Sequence, residues 1–158
     1  MEIIATRIME VRERKARRMR IGSPADAVRA LRPYARKRTE HFLVLTLSAV
    51  HEVIGIRIVS IATLNSSLVH PREVFWWAIR DNAQSVIVAH NHPSGSCDPS
   101  AEDREMTTRL REAGRLMGIE VLDHIIFSAR GFYSFQEGAG AHPHELTAPC
   151  IPVRARRQ

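Results

Sequence analysis

The chain has 158 residues, 44% of them hydrophobic and 25% charged, with a formal charge of +6. That is long enough for one domain with its own core and ordinary for a globular protein. No uninterrupted apolar run reaches the roughly 18 residues of a membrane helix. The N-terminus lacks the apolar stretch of a secretory signal, and Cys97 and Cys150 make no disulfide framework. A reducing cytoplasm is the expected compartment.

The basic residues cluster: Arg12, Arg14, Lys15, Arg17, Arg18 and Arg20, then Arg36, Lys37 and Arg38, then Arg154, Arg156 and Arg157. Such runs suit non-specific contact with nucleic acid or another polyanion, or simply a solvated surface with a charged tail. The aromatic interleaving of a single-strand binder is absent.

In chain order, Ile4, Ile8 and Val11 suit one helical face, but the pattern is short. Ser23-Pro24 starts a helix, with a capping hydroxyl and a proline at the first helical position. Ala27, Val28 and Leu31 give it an apolar face, and Pro33 ends it. Phe42 to Leu47 and Val53 to Ile61 form a hairpin by pattern, turning at Ala49 to Glu52 without an Asn-Gly signature. Ser66 to Val69 is a further short strand candidate. Pro71 begins a second helix with Val74, Phe75, Ala78 and Ile79 on one face and Asp81-Asn82 as its end. Trp76 and Trp77 are adjacent, so at least one leaves that face; buried core is the ordinary use of such residues and a homodimer surface the alternative.

Ser85 to Ala89 reads as a buried strand. A Pro/Ser/Gly loop follows, and Ser100 opens a helix to Met117 with Met106, Leu110, Ala113 and Met117 as its stripe. Gly118 sits at the C-cap. Ile119 to Phe127 and Phe132 to Phe135 read as strands. The expected organisation is a basic N-terminal extension with a short helix over 1–38, one metal-binding domain over 39–136, and a disordered basic tail over 137–158. Strands mixed with helices at this spacing argue for an α/β or α+β fold around a single mixed sheet.

The chemistry concentrates after the Val86-Ile87-Val88 run. His90 and His92 stand two apart, so an extended chain points both imidazoles to one side. Asp103 lies in the first turn of the next helix and can bring a carboxylate to the same point. Two imidazoles and a carboxylate are a common catalytic zinc set with a fourth position for water. Asp103 also has a plain structural use, since an acid in a first helical turn is favoured by the helix dipole and open N–H groups. Glu102 is its nearest rival. Ser100 and Asp103 resemble a capping box, and Ser100 is equally an N-cap. Cys97, inside the loop, is either a thiol able to reach an open zinc position or a plain loop residue.

His-x-His, seven residues, Ser, two residues, Asp fits the JAMM (MPN-plus) metalloprotease motif at His90, His92, Ser100 and Asp103. The string His90-Asn91-His92-Pro93-Ser94-Gly95 with Pro99-Ser100 resembles the RadC-type branch of that family. The resemblance runs from about Thr39 to Phe135 and includes His70-Pro71-Arg72-Glu73 and Asp123-His124-Ile125-Ile126. It implies an MPN/JAB-like mixed sheet flanked by helices, with cytidine-deaminase-like layering, and an extra strand around Ile4 to Val11. It implies one Zn2+ per chain on His90, His92 and Asp103, with Ser100 supporting an oxyanion. Hydrolysis also needs a general base; Glu40, Glu52, Glu73 and Glu102 are available, and the resemblance selects Glu40. The neighbourhood departs from the family pattern, with Thr39 where a basic residue usually precedes the glutamate. His70, Ser94, Asp123 and His124 are supporting candidates, Asp123 as a carboxylate that could receive a ligand histidine's second N–H.

The activity implied is metal-dependent cleavage of a peptide or isopeptide bond in a peptide or protein substrate. From a different class, the charge and the family's DNA-repair association suggest a DNA-associated accessory module with a structural or latent zinc site. Against it, many relatives carry a helix-hairpin-helix segment before the domain, for which 38 residues are too few. A metal scaffold without catalysis is a third reading, opposed by the complete motif. His90-Asn91-His92 is not the nuclease motif of the same letters, whose residues are not consecutive, and the His-x-Glu with Pro-Cys-x-x-Cys of zinc deaminases is absent.

Overall fold

Alternate residues of a strand face opposite sides of its sheet, so a strand apolar at every position must be covered twice. That is the situation at the centre of this chain. The computed structural model describes residues 19–62 and 69–138. Its elements are α1 (Pro24–Leu31), β1 (Glu40–Leu47), β2 (Val53–Ala62), α2 (Pro71–Arg80), β3 (Ser85–Asn91), α3 (Ala101–Met117), β4 (Glu120–Phe127), β5 (Phe132–Ser134) and α4 (Phe135–Gly138). They build one mixed α/β sheet of order β2-β1-β3-β4-β5. β3 and β4 run parallel, with α3 as their crossover, and the other neighbours are antiparallel.

Leu43, Leu45, Leu47, Ile87 and Ala89 point to one face, where Ala27, Val28 and Leu31 of α1 cover them. Phe42, Val44, Val86 and Val88 point to the other, against Val74, Phe75, Trp77 and Ala78 of α2 and Leu110 of α3. The segment from Ile21 through α1 is thus part of the core, although the sequence places it in an extension. No helix among the described residues is long and apolar enough to cross a membrane.

The hairpin forms as expected, and His51 at φ 59° makes the turn that lacks Asn-Gly. Several details differ from the sequence reading. Ser23 is the N-cap residue of α1 and Pro24 its first helical residue, as expected, but the hydroxyl makes no capping bond: it donates to Asp26 Oδ2 at 3.0 Å, and that oxygen also accepts from Gly22 N at 3.1 Å. Pro33 does not stop the chain abruptly; α1 tightens into a 3-10 turn over Arg32–Tyr34. On α2 Trp77 is buried beside Val74, Phe75 and Ala78, Trp76 is the tryptophan that leaves that face, and Ile79 is 64% exposed.

The buried stripe of α3 is Asp103, Thr107, Leu110 and Gly114, with Met106 and Ala113 at its margin and Met117 exposed. Gly114 faces inward because there is no room for more. A Cβ there would run into Ile119 O and come within 3.1 Å of Phe75 and 3.3 Å of Val121. β3 runs two residues past its expected end, through Asn91. β5 stops at Ser134, whose hydroxyl accepts from Gln136 N and Glu137 N and so starts α4; Glu137 and Gly138 are therefore helical rather than tail. The expectations for Ile4 to Val11, for Ser66 to Leu68 and for 139–158 lie outside the described residues; Val69 is buried but belongs to no strand.

Candidate metal centre

Val86, Val88 and His90 alternate onto the α3 side of β3, so His90 ends an apolar row just where α3 begins. There its ring is 1% exposed. It stacks on Phe42, with ring centres 5.9 Å apart, and packs against His124 of β4. His92 follows in the loop, held by its own N–H to Phe127 O at 3.0 Å. The two Nε2 atoms lie 3.0 Å apart.

The hydrogen bonds assign both tautomers. Thr107 Oγ1 donates its only proton to Asp103 O at 2.6 Å, the helical carbonyl four residues back. The 2.6 Å contact between that hydroxyl and His124 Nδ1 must then be donated by the ring. His124 is fully buried, and burial first, then the neighbouring His90, drives its pKa well below the usual histidine value, so it is neutral. Its Nε2 therefore accepts, and His90 Nδ1 donates to it at 2.9 Å. His92 Nδ1 donates to Ser96 O at 3.0 Å. Burial and then His90 lower the His92 pKa as well. In their neutral forms both rings therefore keep an Nε2 lone pair, and the two Nε2 atoms meet at 3.0 Å.

Asp103 joins them from the first turn of α3. Its Oδ1 is 3.2 Å from His90 Nε2 and its Oδ2 is 3.9 Å from His92 Nε2. Ser100 orients it, because Ser100 N and Oγ both donate to Oδ2 at 2.8 Å while Oγ accepts from Asp103 N at 3.1 Å. This is a capping box with Asp in the place of the usual Glu. Burial alone would raise the Asp103 pKa. When a proton rather than a metal occupies His90 Nε2, the hydrogen bond and charge of that ring, with the bonds from Ser100, outweigh burial and hold the carboxyl far below its usual range.

Glu40 approaches from β1, as the first residue of that strand. Its Oε1 is 3.9 Å from His90 Nε2, and the side chain is 44% exposed. Glu40, His90 and His92 offer ligand atoms within 4.8 Å of one another, a group able to hold a metal ion. Two carboxylates thus lie 3.2 and 3.9 Å from His90 Nε2: Asp103, held by Ser100, and the half-exposed Glu40.

The donor set fits a divalent cation. Lone pairs 3.0 Å apart repel unless positive charge lies between them. Ligands about 2.0–2.1 Å from a tetrahedral centre stand about 3.3 Å apart. The His90–His92 and His90–Asp103 separations, 3.0 and 3.2 Å, are close to that edge.

The other sequence candidates fall elsewhere. His124 touches the site, through His90. Asp123 does not receive a ligand N–H: it accepts from Ser134 Oγ at 2.6 Å and Gln136 N at 3.0 Å, fixing the start of α4. His70 is an exposed cap of α2, its Nδ1 accepting from Arg72 N at 3.3 Å. Ser94 is exposed on the loop after His92. Cys97 turns from the centre into the core, 3.4 Å from Ser128 Oγ and 3.2 Å from Gly131 O, and so ties the loop down.

Two residues went unnoticed in the sequence. Thr107 is one. Asn91 is the other: fully buried, it accepts from His41 N at 2.8 Å and donates to Thr39 O at 3.1 Å. It thus clasps the backbone on both sides of Glu40.

The RadC-like JAB domain model matches residues 21–141. The chain belongs to that family. This RadC-like chain is 54% identical over 118 residues to a protein of Rubrobacter xylanophilus, covering 74% of this chain and 52% of that one. It is 51% identical over 122 residues to a protein of Symbiobacterium thermophilum, 77% of this chain and 52% of that one. It is 50% identical over 119 residues to a protein of Alkaliphilus metalliredigens, 75% of this chain and 51% of that one. All three bear the name UPF0758 protein, which states no activity. The RadC-like chain spans about half the length of these curated relatives.

Proposed function

We propose that the RadC-like chain is a zinc-dependent hydrolase of peptide or isopeptide bonds. The observation that carries this reading is the convergence of the His90 and His92 Nε2 atoms with the carboxylates of Asp103 and Glu40. A zinc ion held by His90, His92 and Asp103 would polarise the scissile carbonyl and make water acidic enough to lose a proton near neutral pH. Asp103 suits the ligand role because Ser100 holds its Oδ2 and leaves Oδ1 aimed at the centre. Glu40 suits the general base. It is exposed enough to meet water, close to the centre, and able to carry a proton from the water to the leaving amine. Ser100 acts here through Asp103: its proton is committed to that carboxylate, which leaves none for an oxyanion in this arrangement.

The test is elemental analysis of the wild type beside His92→Ala, followed by a screen of peptide and isopeptide substrates with Glu40→Gln as the inactive control. About one zinc per chain, absent from the variant, with cleavage lost in Glu40→Gln, is the expected result. No zinc in the wild type after zinc is supplied would remove the reading.

The net charge of +6 favours a second reading, a DNA-associated module. It requires DNA affinity that survives physiological salt; an affinity that collapses between low and physiological salt without sequence preference is bulk electrostatics alone.

A further inference from the structure

His92 has two surroundings. Its Nε2 faces the candidate metal centre, while its ring also lines a cleft of about 410 Å³. Arg36, Lys37, Arg38 and Arg130 line the same cleft, and Ser94 stands on its rim. No carboxylate lines it, and among the described residues none pairs with any of the four cations. Four positive side chains in one concavity repel one another, an arrangement that favours an anionic occupant.

The walls are fixed rather than loose. Lys37 N donates to Tyr34 O at 3.1 Å, and Lys37 O receives Asn91 Nδ2 at 3.4 Å. Opposite, Arg130 N donates to Ser128 Oγ at 3.0 Å, and Ser128 Oγ donates to Gly95 O at 3.2 Å. Gly95, at φ 88°, lets the Arg130 side chain lie against the loop; a Cβ there would stand 3.3 Å from Arg130 Nε.

We propose that this cleft is a substrate subsite for a carboxylate, borne by a residue next to the scissile bond. The proposal rests on the hydrolase reading above for the word substrate. Guanidinium forks bind carboxylates in bidentate fashion, and His92 places such a group directly beside the metal centre. A nucleic-acid strand fits less well, since the lining has no Phe, Tyr or Trp for a base to stack on and the cavity has side-chain rather than duplex dimensions. The carboxylate is either an Asp or Glu side chain or a free C-terminus.

The experiment uses the zinc-supplied full chain. Its probes are blocked alanine-rich tetrapeptides with one glutamate or one glutamine, a tetra-alanine with a free C-terminus, and a mixed-sequence 12-nucleotide single strand. Binding is followed by amide chemical shifts at 36–38 and 130, in the wild type, Arg38→Gln and Arg130→Gln. Charge-assisted pairing predicts about tenfold tighter binding of a carboxylate peptide than of the glutamine peptide, a preference lost in either variant at unchanged zinc content. Preference for the glutamate peptide assigns a side chain, and preference for the free terminus assigns a C-terminus. Equal binding of all three peptides overturns the proposal. So does an oligonucleotide that binds at these residues more tightly than either carboxylate peptide and loses that affinity in the same variants. Cleavage is scored separately: selective binding without hydrolysis removes the hydrolase reading but keeps the carboxylate preference, and charge-indifferent hydrolysis does the reverse.

Discussion

Thr107 touches no predicted ligand atom, its hydroxyl reaching only the main-chain carbonyl of Asp103 and His124, yet the bonding makes it decide where the His90 proton sits. Its hydroxyl is the acceptor for His124 Nδ1–H at 2.6 Å, and through His124 it keeps His90 in the tautomer whose Nε2 is bare. Thr107→Val preserves shape and removes that acceptor. His124 then either keeps an unpaired buried N–H or turns to the other tautomer and donates from Nε2 toward His90 Nδ1. The second course forces a proton onto His90 Nε2, in the direction of the metal. A buried donor left unsatisfied costs about 1–3 kcal/mol, and removing an outer partner of a metal ligand typically lowers metal affinity about 10–100-fold. Both routes give the same order of loss, because 1.4 kcal/mol is about tenfold. Competition with a chromophoric zinc chelator measures it, and nitrogen chemical shifts of the imidazoles report the tautomers directly. Thr107→Ser should restore both. Wild-type zinc affinity in Thr107→Val, or a neutral His90 with its proton on Nε2 and none on Nδ1 in the metal-free wild type, would refute the relay.

Three further outcomes follow from the packing. Ser100→Ala removes the hydroxyl that aims Asp103 and caps α3; about 1 kcal/mol of stability should go with the cap, zinc affinity should fall, and Ser100→Thr should recover both in calorimetry and chelator competition. Gly114→Ala drives a methyl into Ile119 O and Phe75 and should cost about 1–3 kcal/mol, read from the denaturation midpoint, with zinc content unchanged. Burial raises the Asp123 pKa, outweighing its bonds from Ser134 and Gln136. The stability this gives is complete below the unfolded carboxyl range near 3.9. It is lost as pH rises through the raised folded value. Melting temperature against pH should therefore decline across that window in the wild type and less so in Asp123→Asn; parallel curves would reject the assignment.

The strands and the motif were legible because they depend on local signals. Phe42 to Leu47 is apolar at nearly every position, and His90, His92 and Asp103 carry spacing that few other uses require. What stayed hidden depends on neighbours far along the chain. Trp77 takes the buried place expected of Ile79, and the inward row of α3 shifts to Gly114 because β4 and Phe75 leave no space for a side chain. Asp123 read as a partner for a ligand histidine, since only the fold reveals that Ser134 and Gln136 already claim its oxygens. Thr107 looks like any polar helix residue until β4 brings His124 against it. The cleft was half legible: Arg36, Lys37 and Arg38 stood out as a basic run, but nothing in the sequence joins them to Arg130.

Asn91 shows why these parts occupy one end of one strand. Strand alternation turns His90 toward α3 and Asn91 the opposite way. The first side delivers an imidazole to Asp103 and His124. The second reaches three backbone groups of the incoming chain: Lys37 O, Thr39 O and His41 N. An amide is the side chain that fits, because it both donates and accepts, whereas aspartate has no donor for the two carbonyls and leucine of similar size has neither. By holding 39 and 41 it sets where Glu40 leaves the sheet, and by holding 37 it sets the wall of the basic cleft. The proposed base, the proposed subsite and the metal ligands are thus referred to the same two residues of β3. Their relative positions depend on one strand register rather than on three independent loops, which is the rigid support that a hydrolytic centre with a directional substrate needs.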